Sequence, residues 1–383
     1  MLETPFFEAC EAAAARWEVP ALAVGVLAGG RAETFAVGCD AATRFTVASI
    51  TKPFVAHLAL ELLDLDQPTG VWPDDVQIRH LLAHTSGFDC ELSVPTSSFG
   101  EGDDALARCA AELPGVRRFV GVDEVWSYAN SGYWLTGYLA SVRAGTTFEA
   151  TLANHVIGPA GLEATDFGPP DVAGTGDQAG AGAYPRARRP SGGLTSNVVD
   201  LLRFAQWHLA HPFSWRMRTV TAKPVRGVYG LGLFGERVDG VAVWGHPGSY
   251  GGYQSSLLMV PDRNAAFVGL TNSSDGGKAL REVEDEFFAA VIGARRRLPE
   301  LVALPPQYYE SYAGTYVNTD NTWSVAHEGG DELVVSNSGD TFRARAVDEH
   351  SFYVPDGRHM YERFDFPRDG LGRLGSVLAE RVA

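Results

Sequence analysis

The chain has 383 residues, of which 45% are hydrophobic and 11% aromatic, a composition typical of a well-packed globular protein. Its formal net charge is −16 at pH 7. A field of that sign repels phosphate, which excludes nucleic acid and anionic membranes as the main partner.

The sequence also argues against insertion into a membrane or export. No stretch reaches the roughly eighteen consecutive apolar residues that a membrane-spanning helix needs. Glu3, Glu8 and Glu11 precede any basic residue, whereas a secretory leader begins with positive charge. We therefore expect these residues to form an amphipathic helix of the mature fold, and the protein to be cytoplasmic.

The first two thirds of the chain combine strands at both ends with helices between them. The predicted elements are, in order, the N-terminal helix, two strands over 21–38 joined by a Gly-Gly turn, a helix over 49–65, short helices within 75–160, a loop over 165–194, a helix over 195–210, strands within 227–271 and a helix over 278–294. Thr195 and Ser196 are the expected caps of the helix that they open. The pattern predicts an α/β (α+β) fold, with one antiparallel sheet closed by its terminal segments and an inserted, mostly helical lobe.

The remainder of the chain changes character. Prolines interrupt residues 296–305, which we interpret as a linker. Segments such as YYESYAGTYV, TWSVAHEG and ELVVSNS then alternate like short antiparallel strands. The predicted organisation is a larger domain over 1–295 and a small all-β domain over 306–383.

Ser49 and Lys52 form the first candidate for a chemical site. The chain holds 22 serines and three lysines, so chance would give about 0.17 Ser-x-x-Lys pairs, and one occurs. Residues three apart share a helix face, and the first turn of a helix favours developing negative charge. Lys52 can act as a base if burial or a nearby cation lowers its pKa from about 10.4 towards 7–8.

Tyr128 and Asn130 lie in WSYANSGY, within a turn-rich segment. A phenol whose pKa is lowered by Lys52 can deprotonate Ser49 and later protonate a leaving group, while Asn130 can bind the substrate carbonyl and the lysine. Tyr316 and Asn318 repeat the spacing in the β-rich segment. The first pair is preferred because a loop can direct its side chains into a cleft.

The run WGHPGSYGGY follows a predicted strand and provides the third candidate. Gly248 would let a substrate backbone approach closely, and the amides of Ser249 and Ser49 can form an oxyanion hole. His246 can offer a donor or a positive charge to the far end of the substrate. His327 and Gly329 repeat the pattern elsewhere.

The order of these three elements resembles the serine β-lactamase and penicillin-binding protein superfamily, in particular its class C-like branch of D-alanyl-D-alanine carboxypeptidases, D-aminopeptidases and family VIII esterases. The segments RHLLAHTSGF (79–88) and PSGGLTSNVVDLLRF (190–204) are similar to the same branch. The resemblance covers about residues 5–295. It implies a sheet flanked by helices, a helical lobe, an acyl-serine intermediate, a small-molecule or peptide substrate, and neither metal nor cofactor.

The resemblance also implies roles for individual residues. Ser49 is the expected nucleophile, with Lys52 and Tyr128 as the acid–base pair. The residues expected to bind substrate are Asn130, His246, Gly248 and Ser249. The chain departs from the β-lactamases at His246-Pro247-Gly248, where they usually carry Lys-Thr-Gly. Because the lysine that would bind a β-lactam carboxylate is absent, we expect a peptidase, amidase or esterase.

Other patterns in the sequence concern metal binding, a second type of nucleophile, the cysteines and a basic cluster. His80 and His84 are four apart, but the following Leu81 is not the glutamate of a zinc-binding H-E-x-x-H motif. No Gly-x-Ser-x-Gly motif occurs, which argues against the nucleophile elbow of an α/β-hydrolase. The cysteines fit either free buried thiols or a Cys90–Cys109 disulfide. An arginine cluster, Arg186, Arg188 and Arg189, is either solvated or at the rim of the cleft.

The sequence therefore predicts a serine hydrolase that acts on a small amide or ester, for example a D-amino-acid peptide. One alternative is acyl transfer, including peptide cyclisation, at the same site. The other is a penicillin-binding sensor without turnover.

Overall fold

The computed structural model of the protein describes residues 4–180, 182–224, 227–337, 341–354, 363–374 and 376–382. Within these ranges the strands before residue 272 are β1 (Leu22–Ala28), β2 (Arg31–Val37), β3 (Phe45–Thr46), β4 (Thr195–Ser196), β5 (Val228–Tyr229), β6 (Phe234–Val238), β7 (Val241–Tyr250), β8 (Tyr253–Val260) and β9 (Ala265–Thr271). Seven of them form an antiparallel sheet in the order β2-β1-β9-β8-β7-β6-β5. Because β1 pairs with β9, the two ends of this region close the sheet, and the predicted fold class is confirmed.

Helices cover both faces of the sheet. In the same described ranges they are α1 (Thr4–Arg16), α2 (Thr51–Leu62), α3 (Ile78–Ala83), α4 (Ala105–Glu112), α5 (Asn130–Ala144), α6 (Phe148–Leu152), α7 (Arg189–Gly192), α8 (Val198–Ala210), α9 (Ser214–Met217), α10 (Gly276–Phe287) and α11 (Pro306–Tyr312). Along β1, Leu22, Val24 and Val26 join the core formed with α1 and α10. Ala23 and Leu27 face the opposite core, which contains α2, α5 and α8, as the period of two in a strand requires.

The start of α8 differs from the prediction. Asn197 caps this helix, and its side chain accepts a hydrogen bond from the amide of Asp200 at 2.9 Å. Thr195 and Ser196 instead form β4, in which Ser196 pairs with Phe45 of β3. The short ladder anchors the segment that leads to Ser49, so the hydrogen-bonding capacity of this stretch serves tertiary structure and not the helix end.

The C-terminal region forms a closed antiparallel barrel. Its strands are β10 (Gly314–Val317), β11 (Thr322–Ala326), β12 (Glu332–Ser336), β13 (Thr341–Ala346), β14 (Ser351–Tyr353), β15 (Arg363–Arg368), β16 (Leu371–Leu374) and β17 (Val377–Arg381). Closure comes from the pairing of β10 with β17. Trp323, Phe352 and Phe364 are buried in its core. Short strands suffice here because a closed barrel leaves no exposed edge.

One predicted strand of this region is partly wrong. The first five residues of YYESYAGTYV belong to the helix α11, which begins two residues earlier at Pro306 and ends at Tyr312. Pro306 lies in the first turn of that helix, where its missing amide costs nothing, and Tyr309 is fully buried in the barrel core.

Among all the helices in the described ranges, none is long and apolar enough to span a membrane.

Candidate active site

The candidate nucleophile lies on a tight turn between β3 and α2. Ala48–Ile50 form a short 3₁₀ helix, and Ala48 has φ of +46°, a left-handed conformation that is uncommon for alanine. The turn is held on both sides, since Ser255 Oγ donates to Val47 O at 2.9 Å and Thr51 Oγ1 donates to Ala48 O at 2.8 Å. Ser49 therefore has a fixed position at the start of the helix.

Four predicted side chains meet at this turn, namely those of Ser49, Lys52, Tyr128 and Asn130. Ser49 Oγ is 3.1 Å from Lys52 Nζ and 2.9 Å from the hydroxyl oxygen of Tyr128. Lys52 Nζ also contacts Asn130 Oδ1 at 2.9 Å and the carbonyl oxygen of Ser191 at 2.6 Å. Helix spacing brings Lys52 to Ser49, whereas the tertiary fold brings Tyr128 and Asn130 to the same point.

Lys52 is fully buried. Burial lowers the pKa of its amine to about 7, while Cys90 and Glu91 oppose this shift and Arg188 adds to it. A neutral amine has two N–H donors and one lone pair. Asn130 Oδ1 and Ser191 O can take the two donors, which leaves the lone pair for the hydroxyl hydrogen of Ser49.

Tyr128 does not have the acidity that the sequence suggested. Burial raises the pKa of its phenol well above the ordinary value, and Lys52 Nζ lies 4.7 Å from the centre of the ring without a hydrogen bond to the hydroxyl. The expectation of a lowered phenol pKa is therefore wrong. The protonated phenol donates its hydrogen bond to Ser49 Oγ.

A buried carboxylate that no motif indicated supports Asn130. Asn130 Nδ2 donates to Glu91 Oε1 at 2.7 Å, and Arg188 Nη2 donates to the same oxygen at 2.8 Å. Burial raises the pKa of Glu91. These contacts fix the orientation of the Asn130 amide, so that its oxygen faces Lys52. Arg188 is thus an internal partner of the site and not a solvated side chain.

His246 lies on β7 and is 2% exposed. Its Nδ1 is 2.6 Å from Pro247 O, and because a carbonyl can only accept, Nδ1 carries the proton. Burial, followed by the charge of Lys52, lowers the pKa of the ring to about 3. The ring is neutral and Nε2 is an acceptor, so the predicted donor or positive charge is wrong. Nε2 has no hydrogen-bond partner within the described part of the chain.

Gly248 and Ser249 complete the strand side of the site. A Cβ atom on Gly248 would lie 2.3 Å from Val47 O and 3.2 Å from Ser49 N. Only glycine therefore permits β7 to lie this close to the turn that carries Ser49. Ser249 Oγ accepts a hydrogen bond from Gln254 Nε2 at 2.9 Å. The strand is paired with β6 only as far as Gly245, which leaves residues 246–250 at an open edge.

A cavity of about 280 Å³ connects these elements. It is lined by Ser49, Tyr128, Asn130 and His246 together with several aromatic rings. Further lining side chains are Trp126, Tyr184, Phe234 and Tyr250. The mixture of apolar walls and a few polar groups is typical of a site for a small molecule or a short peptide segment.

The structure also bears on the metal, disulfide and second Tyr-x-Asn candidates. In the described residues, no cluster of three or more potential ligands could hold a metal ion. The four cysteines are free thiols, so the Cys90–Cys109 disulfide is not formed. Tyr316 belongs to the barrel core, where its hydroxyl donates to Tyr312 O at 3.0 Å.

Comparisons with known proteins show the family and the fold of the chain. The sequence is 27% identical to penicillin-binding protein 4 of Amycolatopsis lactamdurans over 347 residues, which cover 77% of this chain and 89% of the relative. The fold matches a crystal structure of SurE with D-Leu, with a TM-score of 0.78, 23% identity and 99% of both chains covered. It also matches D-amino acid amidase from Ochrobactrum anthropi SV3, with a TM-score of 0.64, 21% identity and coverage of 75% of this chain and all of that one. Since residues 10–289 match the Beta-lactamase protein family, the chain belongs to that family of serine hydrolases.

Proposed function

We propose that the protein hydrolyses a small amide or ester through an acyl ester on Ser49, with a D-amino-acid derivative as the preferred substrate class. The observation that carries this proposal is the position of Ser49 Oγ, 3.1 Å from the amine of Lys52 and 2.9 Å from the phenol of Tyr128. The amine of Lys52 is able to accept the hydroxyl proton of Ser49, and the phenol of Tyr128 is able to donate a proton to the leaving group.

The proposed reaction begins with neutral Lys52. Its lone pair takes the proton of Ser49 as Oγ attacks the substrate carbonyl carbon, and the amides of Ser49 and Ser249 stabilise the negative oxygen. When the carbon–nitrogen or carbon–oxygen bond breaks, Tyr128 protonates the leaving group. The ammonium of Lys52 then returns a proton to the phenolate, and water repeats the sequence to release the acid.

The polarity of His246 favours an amide over an ester. Nε2 is a buried acceptor on the wall of the cavity, and an amide brings an N–H that an ester lacks. The preference for a D-configured group is supported by two structural neighbours, SurE with D-Leu and D-amino acid amidase.

Acyl transfer to an amine is the second candidate. An attacking amine also carries N–H groups, and one of them can donate to His246 Nε2 while the nitrogen approaches the acyl carbon. Peptide cyclisation is the intramolecular form of this reaction. It would use the same Ser49 ester, with an amine in place of water.

A substrate panel tests the proposal. D- and L-aminoacyl p-nitroanilides are compared with short-chain p-nitrophenyl esters, for the wild type and for Ser49→Ala. We expect turnover that Ser49→Ala abolishes, with D-aminoacyl amides the best substrates. Fluorescent penicillin that labels Ser49 stably, without turnover on any substrate, would favour the sensor instead. Added amine nucleophiles that divert the product to a new amide would favour acyl transfer.

The domain boundaries and the cellular location of the protein are proposed as well. The boundaries at 295 and 306 are proposed domain limits, which limited proteolysis followed by mass spectrometry can locate. A cytoplasmic location is proposed as well, and cell fractionation tests it.

A further inference from the structure

The C-terminal barrel contacts the segment that carries Tyr128. The amide of Tyr128 donates to Ser376 O at 2.8 Å, and the amide of Leu378 donates to Ser127 Oγ at 3.1 Å. Arg373 Nη1 donates to the carbonyl oxygen of Trp126 at 2.7 Å. Three consecutive residues that end at the phenol are thus bonded to β16, β17 and the turn between them.

Arg373 has an environment suited to a fixed position. It is 4% exposed and Asp365 is 8% exposed. Arg373 Nε donates to Asp365 Oδ1 at 2.8 Å, and Nη2 pairs with the other carboxylate oxygen. A two-point pair of this kind fixes the plane of the guanidinium, so Nη1 is directed at Trp126 O. The guanidinium carbon also lies 5.7 Å from the centre of the Trp126 ring.

A second contact links the barrel to the Glu91 side of the site. Thr319 donates to Asp89 Oδ2 from its amide at 2.9 Å and from Oγ1 at 2.6 Å. Asp89 O in turn accepts from Ser131 Oγ at 2.7 Å, within the first turn of α5. The barrel therefore contacts the segment that carries Tyr128 and the segment that leads to Glu91.

Within residues 1–295, His84 also holds the Tyr128 segment. His84 O accepts from the amide of Ser127 at 2.9 Å, and His84 Nδ1 accepts from the amide of Ala129 at 3.0 Å. His84 fixes the residues on either side of Tyr128, while the amide of Tyr128 itself is bonded to the barrel. The direction of the phenol thus depends on both supports.

We infer that the barrel is a structural part of the active site and that Arg373 is a positioning residue, which holds Trp126–Tyr128 so that the phenol reaches Ser49. This inference rests on the proposed function, because it assigns Tyr128 a role in the reaction of Ser49. A displacement of reacting groups by about 1 Å can reduce a rate by 10²-fold. The Tyr128 hydroxyl is 2.9 Å from Ser49 Oγ, so a shift of that size away from Ser49 would break their hydrogen bond.

The test compares Arg373→Gln with a matched control, Arg368→Gln. Arg368 lies on the neighbouring strand and pairs with Glu124 across the same interface, but this ion pair is half-exposed, so its loss should matter little. The readout is the rate at which a fluorophosphonate labels Ser49 in the full-length protein, with KM and kcat measured on the best substrate of the panel. We expect Arg373→Gln to lower kcat for an amide substrate at least tenfold with KM within threefold. The labelling rate should fall no further than it does in Tyr128→Phe, because fluoride leaves without a proton, and Arg368→Gln should stay within twofold of the wild type.

A double-mutant cycle separates positioning from general loss of structure. In a Tyr128→Phe background the phenol is already absent, so Arg373→Gln should lower the rate by less than twofold. An equal, additive loss of kcat in both backgrounds would overturn the inference, as would a folded Arg373→Gln with the wild-type kcat on the amide. If Arg373→Gln does not fold, Arg373→Lys keeps the charge beside Asp365 and replaces the fork, and the same cycle applies to it. A wild type that does not label at Ser49 would instead refute the proposed function itself.

Discussion

Lys52 donates a hydrogen bond to Asn130 Oδ1 at 2.9 Å from a fully buried amine. The same amide donates from its nitrogen to Glu91 at 2.7 Å. The proton affinity of Lys52 therefore depends on burial and on a short chain of polar contacts that ends at an ion pair. This arrangement makes the pH dependence of the reaction the most direct probe of the site.

We expect kcat/KM to rise with pH through a midpoint of about 7 and then to stay level. The base must be neutral to accept the proton of Ser49, and the pKa of Lys52 is lowered to about 7. The profile is measured on an ester that has no ionisable group of its own. A profile that is flat from pH 5 to 9 would contradict the assignment of Lys52 as the base.

The same shift has a consequence for stability. The pKa of Lys52 in the unfolded chain is near 10.5, so between about pH 7 and 10.5 the unfolded state binds more protons than the folded state. The free energy of unfolding contributed by this group therefore increases with pH across that window. Lys52→Met should remove this contribution, and it should abolish activity. Denaturant unfolding of both proteins at pH 6 and pH 9 measures the difference.

Glu91→Gln should shift the midpoint of the rate profile to lower pH, by roughly one unit. The negative charge of Glu91 favours the protonated form of Lys52, and its loss also leaves Arg188 uncompensated beside the amine. Glu149→Gln is the matched control, since Glu149 pairs with Arg186 and Arg189 and not with Arg188. A midpoint that moves upward in Glu91→Gln, or that moves equally in both variants, would contradict this electrostatic link.

Tyr128→Phe should reduce kcat/KM for an amide by about 10²–10³-fold and kcat/KM for a p-nitrophenyl ester by tenfold or less, since kcat/KM reports the steps up to acylation. An amine must be protonated as it leaves, whereas p-nitrophenolate is stable without a proton. Tyr133→Phe serves as the control, because this buried hydroxyl donates to Leu82 O at 2.9 Å and not to Ser49. Equal losses on both substrates in Tyr128→Phe would show that the phenol has no role as the general acid.

The sequence predicts the main elements of the site for identifiable reasons. Ser49 and Lys52 are three apart on one helix, so their contact follows from local geometry. Tyr128 and Asn130 lie nearly 80 residues away in the sequence, and only the order of the motifs connects them with Ser49. Glu91 carries no motif, and its contact with Asn130 spans 39 residues of sequence, which no local pattern encodes.

Protonation states were the least predictable property. The ring of His246 is neutral because Tyr128, Tyr229 and Phe234 surround it, and the sequence does not show that enclosure. The phenol of Tyr128 retains its proton for the same reason. Sequence motifs thus identify which groups meet, while burial in the folded protein decides which of them carry charge.

His246→Leu should lower the ratio of amide to ester turnover at least tenfold. The two substrates share an acyl group and differ only in N-ethyl amide against O-ethyl ester, so the N–H is the relevant difference. His246→Gln offers an oxygen close to the position of Nε2 and should recover part of the ratio. A ratio that stays at the wild-type value in His246→Leu would show that Nε2 does not bind the substrate N–H.

Gly248→Ala should reduce activity by about 10²-fold or more while the protein remains folded. The added Cβ would lie 2.3 Å from Val47 O and from Ser255 Oγ, so the turn that carries Ser49 has to move. Gly277→Ala in α10 is the control, because its Cβ would meet the Gln254 side chain at ordinary distances of 3.7 Å or more. Both substitutions add one methyl group, and only the first adds it against the nucleophile. The comparison uses fluorophosphonate labelling of Ser49 beside thermal unfolding. Wild-type labelling by Gly248→Ala would mean that the close approach of β7 to Ser49 is not required for the reaction, and the proposed oxyanion hole between the two amides would have to be abandoned.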